Sequence, residues 1–446
     1  MNLAFLQDIQ LPNGTADVIY SSIKDYMKTA KIDLGKMTSF ASDGPSVMVG
    51  NKNGVVAQIQ RDNPRVIPVH CINHLLQLAV SKAFSSVTEI DAIDELLTAL
   101  WKYYHFSTVK SGSLDAIQDL IRELGSSDTK QNLTVKKAVH TRWLSHENAV
   151  QSIRKLYEPI CMDLENAISS GRDKKLGDHF GASASVLLKL MKKYDKLYYI
   201  HLLCDICTVL ARLTLLFERA DVDLSSVQPQ LESTVVNLQR MKTRAGPFLS
   251  KVSSVAEKLG IEETDHDRVQ TARNKFIDTL LEHLQERLDH SELITAMAAL
   301  DFSHVTQEQI ALHGEQEIIQ LAGHLQLPEE ELLAEWADLK VKFHANSEAR
   351  SPKLILKQLS DKQELVGDLF PNIKKLLCAY ETLILSTAAV ERLFSQVKLI
   401  VTEHRNRLEV MTTNKLLIIK LNTKSHCDID MRKVVKLFLK KKRRIM

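Results

Sequence analysis

Apolar residues recur at helical spacing through most of this chain, and short continuous apolar runs are confined to its N-terminal part. Residues 3–10 read as a short apolar strand. A helix follows from about Thr15 to Ala30, with Ile19, Ile23, Tyr26, Met27 and Ala30 on one side. Met37 to Ala41 reads as a strand ending at Ser42-Asp43-Gly44, and a helix is expected from about Ser46 to Gln60. Arg65 to His70 gives a third strand, limited by Pro64 and Pro68, with a helix from about Cys71 to Phe84. Strand and helix in alternation predict an α/β layer structure. From about residue 88 to 345 the pattern becomes helix after helix. Leu203, Cys207, Leu210, Thr214 and Phe217 mark one stripe, and Val235, Leu238 and Met241 another. Loops are expected at 125–128, 171–173 and 260–265, and no repeat of 20–50 residues is visible.

The densest helical signal lies near the C-terminus. From Ser386-Thr387-Ala388-Ala389 through Arg405-Asn406-Arg407-Leu408, the apolar positions Val390, Leu393, Phe394, Val397, Ile400 and Val401 share one face, which is expected to be buried. Glu391 and Arg392 stand at its edge. Leu416-Leu417-Ile418-Ile419 then runs apolar without alternation, which requires cover on all sides, inside the domain or against a second chain. More apolar surface lies here than one small core needs. Self-association through about residues 375–422 is therefore expected, with Val390, Leu393, Phe394, Leu417 and Ile418 among the contacts.

Composition changes this picture little. The 446 residues allow two or three domains; 44% apolar and 25% charged residues are ordinary for a globular protein, and only 15 glycines favour long helices. No apolar run was expected to reach the roughly 20 residues of a membrane span, and the N-terminus lacks the layout of a signal peptide. Six scattered cysteines suit a reducing compartment. Neither a membrane nor a small-molecule substrate is expected as a partner.

Charge is uneven. From Val401 onward 13 Lys+Arg face 4 Asp+Glu, a surplus of nine; the rest, 45 against 51, is minus six, which together give the net +3. The cation excess is a property of the tail, where Lys440, Lys441, Lys442, Arg443 and Arg444 form a continuous run after Arg432, Lys433 and Lys436. Such a run suits a nuclear-import signal or weak contacts to phosphate backbones; a solvated end is the plain alternative.

Candidate chemistry is sparse. Asp43 follows an apolar strand and precedes Gly44, a pattern that most often makes a turn. Cys71-x-x-His74 has the spacing of half a zinc site, but no second pair follows at a suitable distance. In Cys204-x-x-Cys207 the second thiol lies on an apolar stripe, so core packing is the favoured role. Trp143, preceded by Arg142, offers a large flat ring whose favoured role is to anchor a helical domain.

Taken together, Ser42-Asp43-Gly44-Pro45-Ser46, His70-Cys71-Ile72-Asn73-His74, Thr141-Arg142-Trp143-Leu144-Ser145 and the 386–408 block resemble the hAT family of DNA transposases and its domesticated descendants. The resemblance is concentrated at 38–84, 139–158 and 370–422. It implies an α/β but mostly helical fold: a ribonuclease-H-like core, truncated here, interrupted by a large all-α insertion. The implied parts are residues 1–87 for the N-terminal part of that core, 88–349 for the insertion, 350–422 for a dimerisation region completing the core, and 423–446 for a basic tail. Family members hold two metal ions with three carboxylates. Asp43 matches the second and Glu391 the third; the first has no counterpart, and Asp8 does not correspond to it. Cys71 and His74 match the family's Cys-x-x-His pair, and Arg142 and Trp143 a segment associated with a flipped base. The expectation is a catalytically inactive, domesticated protein rather than an enzyme, without the ancestral magnesium site. It should act as a homodimer or with a related hAT-like protein, with DNA as a further partner, and reside in the nucleus with or without a cytoplasmic pool. An active metal-dependent transposase or nuclease is the alternative if a further catalytic Asp lies upstream.

Overall fold

A computed structural model describes residues 4–124, 131–138, 143–172 (backbone only for 143–145), 182–219, 222, 224–288, 292–344, 351–361, 368–422 and 430–440. The chain divides into two compact units, residues 1–69 with 302–446, and residues 70–301. It is mostly helical, with two parallel strands.

The first unit opens with an extended segment, residues 4–10, that joins no sheet; the strand expected at 3–10 is extended backbone held by side chains instead. Helix α1 (Ala16–Thr29), strand β1 (Ser39–Ser42), helices α2 (Ser46–Val49) and α3 (Val55–Asp62) and strand β2 (Ile67–His70) follow. The single helix expected at 46–60 is broken by Gly50 and Gly54. A Cβ on Gly54 would lie 2.5 Å from the Gly50 nitrogen, and one on Gly50 2.5 Å from the Ser46 carbonyl oxygen, so only glycines let the backbone turn this tightly. Val55, Ile59 and Val66 form the enclosed centre here, packed by Ile19, Tyr20, Ile23, Leu34 and Phe40. The Asn63 amide donates to the Leu34 and Met37 carbonyls at 2.8 and 2.9 Å, satisfying a turn that passes under this core.

The second unit is entirely helical among its described residues after β2. It comprises α4 (Ile72–Ser85), α5 (Thr88–His105), α6 (Thr108–Glu123), α7 (Trp143–Lys155), α8 (Tyr157–Ser169), α9 (Ala184–Met191) and α10 (Tyr194–Phe217). Helices α11 (Leu224–Thr243), α12 (Val252–Leu259), α13 (His266–Leu288) and α14 (Glu292–Ala298) complete it. Helix α10 is long and apolar enough to cross a membrane, contrary to the reading that no such run exists. Its side chains explain why: Leu197, Ile200, Leu203, Ile206, Leu210, Leu213 and Phe217 are all enclosed, so this is a core helix of the bundle, apolar over most of its surface because other helices cover it. Two buried polar groups there are paired, whereas the enclosed Tyr199 hydroxyl of α10 has no hydrogen-bond partner among the described residues. Asp205 on α10 accepts the Phe248 and Leu249 backbone N–H groups at 3.0 and 2.9 Å. Arg273 on α13 donates to the Met241 and Arg244 carbonyls where α11 ends, a cation placed at the negative end of a helix.

The C-terminal part of the first unit contains α15 (Glu315–Leu325), α16 (Glu329–His344), α17 (Pro352–Leu359), α18 (Pro371–Glu381), α19 (Ala388–Ile400), α20 (Val410–Asn422) and α21 (Met431–Lys440). Trp336, Leu339 and Leu332 of α16 are buried. Lys340, also buried, donates to the Ala311 and His313 carbonyls at 2.8 and 3.0 Å, which lets its ammonium stay inside. The two parts of this unit are stitched together. The Ser39 hydroxyl donates to the Thr382 carbonyl at 2.9 Å, and the Thr38 and Thr382 hydroxyls lie 2.7 Å apart.

Candidate functional site

Helix α19 begins after Ser386, whose hydroxyl accepts the Ala388 N–H at 3.2 Å, and ends where Val401 turns extended. A single turn at Glu403–Arg405 leads to α20, which packs back on α19. The apolar stripe of α19 is only partly covered. Ile400 is buried and Leu393 and Val397 are half-buried, but Val390 and Phe394, one turn apart, are 51% and 58% exposed. On α20, Leu417 is fully buried with Thr413 and Asn414, whereas Ile418 is 41% exposed and Met411 and Ile419 more so. The run Leu416–Ile419 is therefore only partly enclosed: Leu417 completes the core, Leu416 is half-buried, and Ile418 and Ile419 face outward. Val390, Phe394, Met411, Ile418 and Ile419 are thus left uncovered by the described residues on these two helices, as side chains at protein–protein contacts are.

The face of α20 that carries Asn414, Ile418 and Asn422 also holds the N-terminal extended segment. The Asn414 amide accepts the Asp8 N–H and donates to the Asp8 carbonyl, both at 2.7 Å. Two turns further, the Asn422 amide does the same with Phe5, at 2.8 Å each way. Each side chain satisfies one residue's donor and acceptor, as a neighbouring strand would. Leu6, Gln7 and Ile9 meanwhile line an apolar groove with Ile23, Tyr26, Met27 and Met37.

The residues expected to carry chemistry are placed as follows. Asp43 lies exposed just after β1, and Glu391 stands half-buried in the first turn of α19. Among the described residues no group of three or more His, Cys, Asp or Glu side chains is placed to hold a metal ion. Cys71 is buried at the start of α4. His74 lies one turn in, half-buried, its ring 5.7 Å from that of His70. Between them Asn73 is enclosed, with neither amide atom hydrogen-bonded among the described residues. Cys204 and Cys207 are fully buried on α10; burial pushes the Cys204 thiol up to about 12 and that of Cys207 well above its ordinary value, so both are core thiols. Trp143 opens α7, with its side chain outside the described residues, as are Arg142, Lys441, Lys442, Arg443 and Arg444. Lys440 ends α21, whose side chains are all exposed, with Val434, Val435 and Phe438 on one face and Arg432, Lys433 and Lys436 on the other.

One buried pair escaped the sequence. His146, three residues beyond Trp143, meets Asp94 of α5 with Nε2 2.5 Å from Oδ1, and the edge of one ring faces the other between Phe84 and His146, centroids 5.1 Å apart. This fixes the start of α7 against α4 and α5. The only sequence signal was a polar pair on otherwise apolar faces, 52 residues apart.

Residues 358–423 match the model of the hAT family C-terminal dimerisation region. The match takes in the end of α17 and all of α18, α19 and α20, the same helices whose outer faces Val390, Phe394 and Ile418 leave apolar and open. Within its 446 residues the chain therefore carries a segment similar to the hAT family C-terminal dimerisation region.

Proposed function

We propose that this protein works by dimerisation through α19 and α20, as a homodimer or with a related hAT-like chain, and that it is a domesticated, catalytically inactive descendant of a transposase. One observation carries the reading: the helices matched by the dimerisation region are those that leave Val390, Phe394, Met411, Ile418 and Ile419 uncovered. Burying about five such side chains in a symmetric contact would supply the apolar centre of an interface of standard size.

Inactivity rests on the carboxylates. Asp43 and Glu391 are the two that match the transposase pattern, and a two-metal mechanism needs a third. The pairing of β1 and β2 with the flanking helices supports a ribonuclease-H-like ancestry for the first unit, on which these two residues would be remnants. Association with DNA and residence in the nucleus rest on the basic run from Lys440 to Arg444 and on Arg432, Lys433 and Lys436 of α21. The test of the dimer is sedimentation equilibrium of the full chain and of Phe394→Asp. The test of inactivity is a nicking assay with Mg²⁺ and Mn²⁺, in which cleavage lost on Asp43→Asn would restore the transposase reading.

A further inference from the structure

We infer that residues 4–10 form a strap that competes with the second chain for α20, so that the dimerisation surface is gated from within the protomer. The inference rests on the dimerisation reading above. Its basis is the double grip of Asn414 on Asp8 and Asn422 on Phe5, four hydrogen bonds of 2.7–2.8 Å made entirely to the backbone of the strap. The spacing is matched. Three residues of extended chain advance about 10 Å, and the eight residues from Asn414 to Asn422 rise about 12 Å. The strap therefore runs antiparallel along the helix, and the residue midway between the two clamps is Ile418, one turn from each. Ile418 is among the side chains the dimer needs, and it is 41% exposed while its helix flank is occupied. A partner helix cannot pack closely on Ile418 without meeting the backbone at residues 5–8.

The strap is also built to leave. Asparagine side chains bind its peptide groups, which water can replace at small net cost. Leu6 is more than half exposed and Phe5 and Ile9 are only half-buried, so modest apolar burial resists release. Beyond it the chain reaches a fixed point, where the Asn13 carbonyl of the side chain accepts the Thr15 N–H and hydroxyl, 3.1 and 2.8 Å away, at the start of α1. Release would therefore free residues 4–12 and leave α1 in place.

The experiment compares the full chain with the double variant Asn414→Ala, Asn422→Ala. The monomer–dimer constant is read by sedimentation equilibrium, and exchange of the Phe5 and Asp8 amides is followed at concentrations below and above it. Weakening the strap should tighten the dimer about tenfold, because the competent state no longer has to be released first. In the unsubstituted chain the two amides should lose protection as the dimer forms. A dimer of equal or lower affinity in the variant, with both amides protected throughout in the unsubstituted chain, would overturn the gate and leave dimerisation standing. If neither chain associates, the dimerisation reading itself fails and the gate falls with it. The amide measurement needs no substitution, so a misfolded variant does not shield the proposal.

Discussion

Glu335 on α16 caps the first turn of α18 by holding Asn372. One carboxylate oxygen accepts the Asn372 and Ile373 backbone N–H groups, each at 2.9 Å, and the other accepts the Asn372 side-chain amide at 2.8 Å. Phe370 precedes the helix without a side-chain cap of its own, so the free N–H groups of that turn are satisfied from a different helix. The charge also sits at the positive end of α18. Because Glu335 precedes residue 358, the family-matched region depends on a residue outside it. Glu335→Ala should cost about 1–2 kcal/mol of stability, measured by urea unfolding, and Glu335→Gln should recover only part of it.

Adjacent residues on α20 should behave oppositely. Leu417 is completely enclosed, so Leu417→Ala should destabilise the chain by about 2–5 kcal/mol. Ile418→Ala removes a side chain that is 41% exposed and should cost the monomer about 1 kcal/mol or less while weakening self-association. Equal losses of stability for both would contradict the outward orientation of Ile418.

Thiol reactivity should be selective. Among the described cysteines, Cys71, Cys161, Cys204 and Cys207 are buried and Cys378 is exposed. Burial pushes the Cys161 thiol, like that of Cys204, up to about 12, so little thiolate forms at neutral pH. A thiol reagent added to the native chain should modify Cys378 and spare those four until denaturant is added, as peptide mapping would report.

The Asp205 site yields a packing and a pH prediction. A Cβ at Gly246 would stand 2.3–2.7 Å from the Asp205 carboxylate, so Gly246→Ala should cost about 1–3 kcal/mol through overpacking. Burial raises the Asp205 carboxyl above its ordinary value, while the Phe248 and Leu249 N–H groups oppose that rise. The folded state therefore holds this proton more tightly than the unfolded chain. Its contribution is largest below the ordinary carboxylate value of 3.8 and falls as pH rises from there through the raised folded value. Asp205→Asn should remove that component of the pH dependence as pH rises above the ordinary carboxylate value, seen as a flatter urea midpoint relative to the unsubstituted chain.

Much of the architecture was legible because local pattern and tertiary environment agree. Thr15–Ala30 and Cys71–Phe84 are expected as helices, and α1 and α4 lie within a residue of those bounds. The mismatches have specific causes. Gly50 and Gly54 break a helix whose apolar spacing continues across the break. Residues 3–10 carry a strand's composition, but their hydrogen bonds go to Asn414 and Asn422, some 400 positions away, which periodicity cannot reveal. Along α19 the pattern located the stripe and could not say which of its members another chain must cover: Ile400 is taken by the protomer, Val390 and Phe394 are left open. His146 and Asp94 were invisible for the same reason as the strap, since each is unremarkable in its own segment and meaningful only as a pair.

Sedimentation equilibrium of the full chain against Phe394→Asp tests the central claim most directly. Phe394 is 58% exposed, so an aspartate there leaves the monomer folded, and unchanged far-UV circular dichroism should confirm it. In an apolar interface the same carboxylate would be buried without a partner. The account predicts a dimer for the unsubstituted chain at micromolar concentration and a folded monomer for the variant, with affinity lower by about a hundredfold or more. A folded monomer for the unsubstituted chain, or an equally tight dimer for both, would contradict it.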